Sequence, residues 1–178
     1  MGQYFKVCNV QTRECITTWD FNEYAKLLEH SWIKNRYVNV AEKLIAKNGK
    51  WYGQPTCWVG DYSENEDGEG ENLFDICGRN VIKPKVGKYK YFRFLINKTK
   101  NEFVDLDKVP VSSVFEGVEY RLHPLPILTC SGNKKGNGDF YGEDHNNLVG
   151  SWVRNIIEPT NKKPTNEFSE IIFDLKVS

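Results

Sequence analysis

The stretch Trp51-Tyr-Gly-Gln-Pro-Thr-Cys-Trp-Val-Gly-Asp-Tyr62 returns, altered, as Phe140-Tyr-Gly-Glu-Asp-His-Asn-Asn-Leu-Val-Gly-Ser-Trp152. Both copies read aromatic-Tyr-Gly, a polar gap, then Val-Gly-X-aromatic. Such self-similarity bears on the whole architecture, so its flanks come next. Upstream, Tyr4-Phe5 matches Tyr91-Phe92, Asn9 matches Asn97, and Glu14 matches Glu102. Four residues, all polar but Val10, separate Asn from Glu in each copy, and extended, alternating segments flank them. Each copy therefore reads as a β-hairpin with a short polar loop. Downstream, Glu71-Asn-Leu-Phe-Asp-Ile76 matches Glu170-Ile-Ile-Phe-Asp-Leu175. The matches keep one order, and their separation only grows along the chain. Two copies of one unit that gained small insertions would look like this.

The fold expected is α+β and mostly antiparallel. It forms one compact domain from two duplicated β-rich halves, residues 1–82 and 88–178, related by a pseudo-twofold axis. A basic connector over residues 83–90, carrying Pro84 and Gly87, divides them. Helices fall mainly in the first half. One is expected over Phe21–His30, capped by Asp20. A second is expected over Val40–Lys47, with Asn39 as N-cap, Glu42 at the capping-box position and Gly49 past its end. Strands are expected at Cys57–Tyr62, Leu73–Cys77, Val118–Leu122, Leu148–Arg154 and Phe168–Val177. A polar turn is expected at Pro159–Pro164, and a last helical turn at Ile127–Cys130.

Composition narrows the function classes. Nine Tyr, ten Phe and five Trp can build a core from few residues, since each aromatic buries about 150–250 Å². Charges balance at 24 basic and 24 acidic, which argues against general nucleic-acid binding. No apolar run approaches the roughly 20 residues of a membrane span. Met1-Gly-Gln-Tyr-Phe-Lys6 lacks a signal peptide's apolar region, and Lys6 stands where a myristoylation site wants Ser or Thr. The five cysteines (Cys8, Cys15, Cys57, Cys77 and Cys130) are odd in number and show no Cys-x-x-Cys spacing. Reduced thiols in a cytoplasmic protein, used as small hydrophobes, are the natural reading.

Met1-Gly-Gln-Tyr-Phe5, Trp58-Val-Gly-Asp-Tyr62, Asn97-Lys-Thr-Lys-Asn-Glu-Phe-Val-Asp105, His123-Pro-Leu-Pro-Ile-Leu-Thr129 and Leu148-Val-Gly-Ser-Trp152 resemble a family of uncharacterised proteins found in bacteria, phages and some fungi. Its members begin Met-Gly-Gln-Tyr-Tyr or close to it. They carry a Gly-rich loop with Arg, then Gly-Gly-Gly-Asp-Tyr. This chain departs there: Lys stands for Arg in Gly132-Asn-Lys-Lys-Gly-Asn-Gly-Asp-Phe140, and Asn137 interrupts the glycines. The resemblance implies a coherent fold over most of the chain and no particular activity.

Chemistry has three candidate homes. In the Gly-rich loop, Lys134, Lys135, Gly136 and Gly138 could converge backbone N–H groups and charge on an anion, although P-loop spacing is absent. A surface turn explains the same residues. The aromatics Trp58, Tyr62 and Trp152, with Arg154, would line a cleft between the halves and suit a flat or phosphorylated molecule. Core packing explains them equally. His123, with Asp139 or His145, could form a general base and its orienter, and Asp144 lies nearby. Cys130 offers a thiol for an imidazole, or a buried hydrophobe. The acidic run Asp61–Glu71 has calcium-loop composition but puts Phe74 where the bidentate Glu belongs, so it reads as a solvated loop. No metal site and no cofactor are expected. Two functions stand: a module holding a small anionic or nucleotide-like ligand, or a protein partner, between its halves; and a hydrolase- or transferase-type enzyme built on His123.

Overall fold

A computed structural model describes residues 2–132 and 147–177. The architecture is α+β and mostly antiparallel. β1 (Phe5–Asn9) and β2 (Cys15–Ile16) form the first hairpin. β4 (Phe94–Asn97) and β5 (Glu102–Asp105) form the second. Each inner strand takes a further antiparallel neighbour: β3 (Thr56–Gly60) beside β1, and β9 (Ile157–Thr160) beside β4. Two short parallel strands complete the sheets. β8 (Cys130–Ser131) joins β3, and β10 (Ser169–Glu170) joins β5, giving the orders β2-β1-β3-β8 and β10-β5-β4-β9. A separate hairpin pairs β6 (Ser113–Phe115) with β7 (Val118–Tyr120).

The two hairpin turns are closed in the same way. Asn9 Oδ1 accepts from the N–H groups of Gln11 and Thr12, and Asn97 Oδ1 accepts from those of Thr99 and Lys100. Each Asn then donates through Nδ2 to the chain entering the third strand, to Gln54 Oε1 in one sheet and Asn155 Oδ1 in the other. Asn is needed because its short amide satisfies turn N–H groups while reaching a neighbour. The sheets meet at this point: Pro55 bridges Ile156, and Thr56 N–H donates to Asn155 O at 3.2 Å.

Helix α2 (Arg36–Ile45) covers the inner face of the first sheet. It starts earlier than expected because Asn35, not Asn39, caps it, accepting from Val38 N–H at 3.1 Å. Asn39 and Glu42 lie inside the helix and are buried. Gly49 is required where the chain folds back, since a Cβ there would stand 2.3 Å from Leu44 O. Tyr37 reaches from α2 into the sheet. Its hydroxyl accepts from Val7 N–H at 2.9 Å and donates to Ile16 O at 2.6 Å, so it stands within the β1–β2 ladder. The core between α2 and the two sheets holds Trp51, Trp58, Leu95, Val104, Trp152 and Ile157.

The outer face of the first sheet carries a row of thiols. Cys15, Cys8 and Cys57 are direct cross-strand partners on three neighbouring strands, so they share a face. Helix α3 (Leu73–Cys77) covers them and adds Cys77. All five cysteines are free and buried, and burial pushes the Cys57 thiol up to about 12.

Several expected elements are corrected. Residues 73–77 form a helix, because Asn72 caps Asp75 N–H and Leu73, Ile76 and Cys77 fall on one helical face. The expected helix over Phe21–His30 is broken. A 3₁₀ turn at Thr18–Phe21 ends on left-handed Asn22 (φ 56°), the chain runs extended beside Tyr4, and only α1 (Leu27–His30) is helical. Residues 148–154 form turns rather than a strand, with Gly150 (φ 73°) and Arg154 (φ 62°) in left-handed conformations. Val149-Gly150 is thus not the structural counterpart of Val59-Gly60. The third strand of the second sheet is β9, within which Pro159 is tolerated on a sheet edge. Only Ser169–Glu170 of the closing segment joins a sheet. Helix α4 (Pro124–Leu128) replaces the expected single turn, with Pro124 at its first position.

Candidate functional site

His123 is a structural residue in this fold. It is the N-cap of α4, and its Nδ1 accepts from Leu125 N–H at 3.1 Å. The ring proton therefore sits on Nε2, which faces Glu42 Oε2 at 3.2 Å without the alignment of a hydrogen bond. Glu42 Oε1 accepts from Asn39 Nδ2 at 3.2 Å, and Asn39 also donates to Lys90 O at 2.7 Å. Both side chains of the pair are only 3% exposed. A buried imidazole whose Nδ1 is taken by the cap and whose Nε2 faces Glu42 offers no base to a substrate. The expected partners Asp139 and His145 lie outside the described residues; among the described residues His123 faces Glu42. Nothing local in the sequence signals this contact, because the two residues are 81 positions apart.

The second buried imidazole is His30. Trp58 Nε1–H donates to His30 Nε2 at 2.9 Å, and Nδ1 donates to Tyr24 O at 2.9 Å. Trp58 also meets Tyr37 edge-on, with ring centroids 5.7 Å apart. Trp58 and Trp152 are thus core side chains and present no surface to a ligand, contrary to expectation. Burial holds the His30 pKa down at about 4. An unfolded His titrates near 6.5, so between these values the unfolded chain binds a proton that the folded chain refuses. Stability contributed by His30 is complete above pH 6.5 and is lost as pH falls towards 4, by about 3 kcal/mol. Urea unfolding at pH 7 and at pH 4.5 measures this, and a His30→Gln variant should show a visibly flatter pH profile. An unchanged profile in that variant rules out His30 as the source.

The remaining candidates separate to the two ends of β3. Arg154 lies at the beginning, pairing with Glu66 at 2.7 Å beside a cavity of about 490 Å³ that Arg13, Asp67 and Glu69 also line. Arg13 pairs with Glu69, and Arg79 with Glu71 at 2.9 Å. The acidic run is therefore clamped by three arginines. Among the described residues no group of His, Cys, Asp or Glu is placed to hold a metal ion.

Tyr62 lies at the other end, just past β3, and is exposed. The root of the Gly/Lys loop comes to the same place, since Val59 pairs with Ser131 and Ser63 Oγ donates to Ser131 O at 2.8 Å. Lys134, Lys135, Gly136 and Gly138 themselves lie outside the described residues. Tyr4 joins from β1: its N–H donates to Asp61 Oδ1 at 3.1 Å, and it bridges Lys26 on its other side. Trp19 packs edge-on against Tyr4 at 6.2 Å and is 65% exposed. At the same sheet end lies Gln3, 1% exposed, with neither amide atom hydrogen-bonded. Its Oε1 sits over two glycines. A Cβ on Gly60 would stand 2.4 Å from it, and one on Gly132 2.8 Å. The site thus combines a side-by-side donor and acceptor, two glycines that the Gln3 side chain itself approaches closely, and exposed rings with a flanking Lys and Asp. Sequence reading missed Gln3, Tyr4 and Trp19, because only their position at one sheet end distinguishes them. No family model, curated protein sequence or solved structure matches this chain.

Proposed function

We propose that the protein is a non-catalytic binding module that holds a small anionic or nucleotide-like ligand at the Gln3 end of the first sheet. The observation that carries this reading is the buried carboxamide of Gln3 without partners. Leaving such a group unpaired costs about 1–3 kcal/mol, a cost that a ligand hydrogen-bonding to it would remove. Tyr4, Trp19 and Tyr62 add faces on which a planar ring can stack, at about 1–3 kcal/mol for a base. Lys134 and Lys135 follow Gly132 closely in the sequence and are of the charge that an anionic ligand calls for. We further infer that the two hairpin sheets are copies of one unit related by a pseudo-twofold. Support comes from the matched Asn9 and Asn97 turns and the Pro55–Ile156 bridge between them. Buried, unbridged thiols favour a reducing, cytoplasmic setting.

The test is a fluorescence titration of Trp19, the most exposed of the five tryptophans, with AMP, GMP, ATP and inorganic phosphate, supported by calorimetry. At least one nucleotide should perturb the emission, and Trp19→Phe should remove that signal. Gln3→Leu should raise the Tm of the free protein, since it deletes an unpaired buried amide, and weaken nucleotide binding about tenfold or more. A variant that binds as well as the wild type, or a wild type indifferent to all four probes, defeats the reading.

A further inference from the structure

The β6–β7 hairpin is an arm with one apolar face. Glu116 (φ 50°) and Gly117 (φ 77°) form its two-residue turn, both left-handed as a tight hairpin requires. Cross-strand partners share a face, so the pairs Phe115–Val118 and Ser113–Tyr120 put Phe115, Val118 and Tyr120 together. Val114 and Glu119 take the other side. Phe115 is 64% exposed and Val118 54%. The arm is rooted at its base, where Tyr120 meets Trp32 edge-on at 6.1 Å and Val177 N–H donates to Ser112 Oγ at 2.6 Å. Beside that root is a hollow of about 390 Å³, lined by Ile33, Lys34, Tyr91, Leu106 and Arg121 and by Val118 and Glu119 of the arm itself.

We propose that this arm and hollow form a twofold interface between two copies of the chain, with Phe115 of each copy seated in the hollow of the other. Three observations select a second copy as the occupant. The arm supplies a protruding aromatic, and the hollow at its own base supplies a seat of suitable size, so the surface complements itself as a twofold contact must. Glu116, at the tip next to Phe115, would arrive beside Lys34, which matches opposite charges in both halves of the contact, while Arg121 is already paired with Glu119 at 3.3 Å. The chain as a whole has 24 basic and 24 acidic residues, so no net repulsion opposes the approach. Exposed aromatics bury about 150–250 Å² each, so a contact built on one seated ring per copy is small, and small interfaces are weak ones. Association is therefore expected only at micromolar concentrations or above, and this surface is independent of the Gln3 site.

Sedimentation velocity from about 1 to 200 µM reads the outcome, since a micromolar dimer dissociates within that range. The wild type should shift from monomer to dimer. Phe115→Glu should remain monomeric with an unchanged melting temperature, because the residue touches little of its own chain. Lys34→Glu should weaken the dimer about tenfold, and adding Glu116→Lys should restore it. Trp19→Ser, on the first sheet, should dimerise normally. A wild type that is monomeric at about 200 µM, or a Phe115→Glu dimer as tight as the wild type, overturns the interface. Failure of the charge swap to restore association overturns the seating of Phe115 in the hollow.

Discussion

Replacing His123 by Ala is expected to lower the stability of the protein by about 2–5 kcal/mol, the usual range for truncating a large buried side chain. Three losses combine. The N–H of Leu125 at the start of α4 loses its cap at 3.1 Å. Glu42 Oε2 loses the one group facing it, while the carboxyl remains 3% exposed. A ring-sized cavity opens beside Leu122 and Leu125, both almost fully buried. Glu42→Gln should be milder, about 1–3 kcal/mol, because the amide keeps an oxygen for Asn39 but turns an NH2 donor toward the Nε2–H of His123. Urea denaturation of both variants gives the comparison. A His123→Ala loss of under about 1 kcal/mol would show that the pair holds nothing together. The same expectation bears on chemistry: loss of any activity in His123→Ala would report a failing fold rather than a missing base, which removes the main support for the enzymatic alternative.

The hairpins were legible because their signals are local. Asn9 and Asn97 act within three residues of themselves, and alternation marks the strands around them. Leu73–Cys77 misled because five residues are too few to separate a period of two from one of 3.6; the deciding residue, Asn72, lies just outside the run. The Val-Gly-X-aromatic repeat misled for another reason. Gly60 is an extended strand residue whose missing Cβ makes room for Gln3, whereas Gly150 (φ 73°) turns the chain. Identical letters thus serve a close approach in one copy and a left-handed turn in the other. The proposed site was hardest to read, because its residues come from positions 3, 4, 19, 60, 62 and 132 and only sheet pairing assembles them.

The roles of Tyr37 and His30 converge on the inner face of the first sheet, and this makes Tyr37→Phe the second strong test. Tyr37 is fully buried, and burial raises its phenol well above the ordinary range, so it works there as a neutral O–H. In the pair Val7–Ile16 the ladder bond is replaced by two bonds through this hydroxyl. Deleting it leaves a buried N–H and a buried C=O facing each other across a gap sized for an oxygen. Each unpaired group costs about 1–3 kcal/mol, so a total loss of about 2–6 kcal/mol is expected, well above the usual cost of an exposed Tyr→Phe change. Closing the gap directly would require β2 to move towards β1, and Cys8 and Cys15, packed under α3 in the next pair, resist that movement. Hydrogen exchange locates the effect: the Val7 amide should lose protection in Tyr37→Phe while the Leu95 amide in the second sheet keeps it. Equal loss in both sheets would mean that Tyr37 supports the whole fold instead of splicing one ladder, and a stability change under about 1 kcal/mol would mean that the strands close without it.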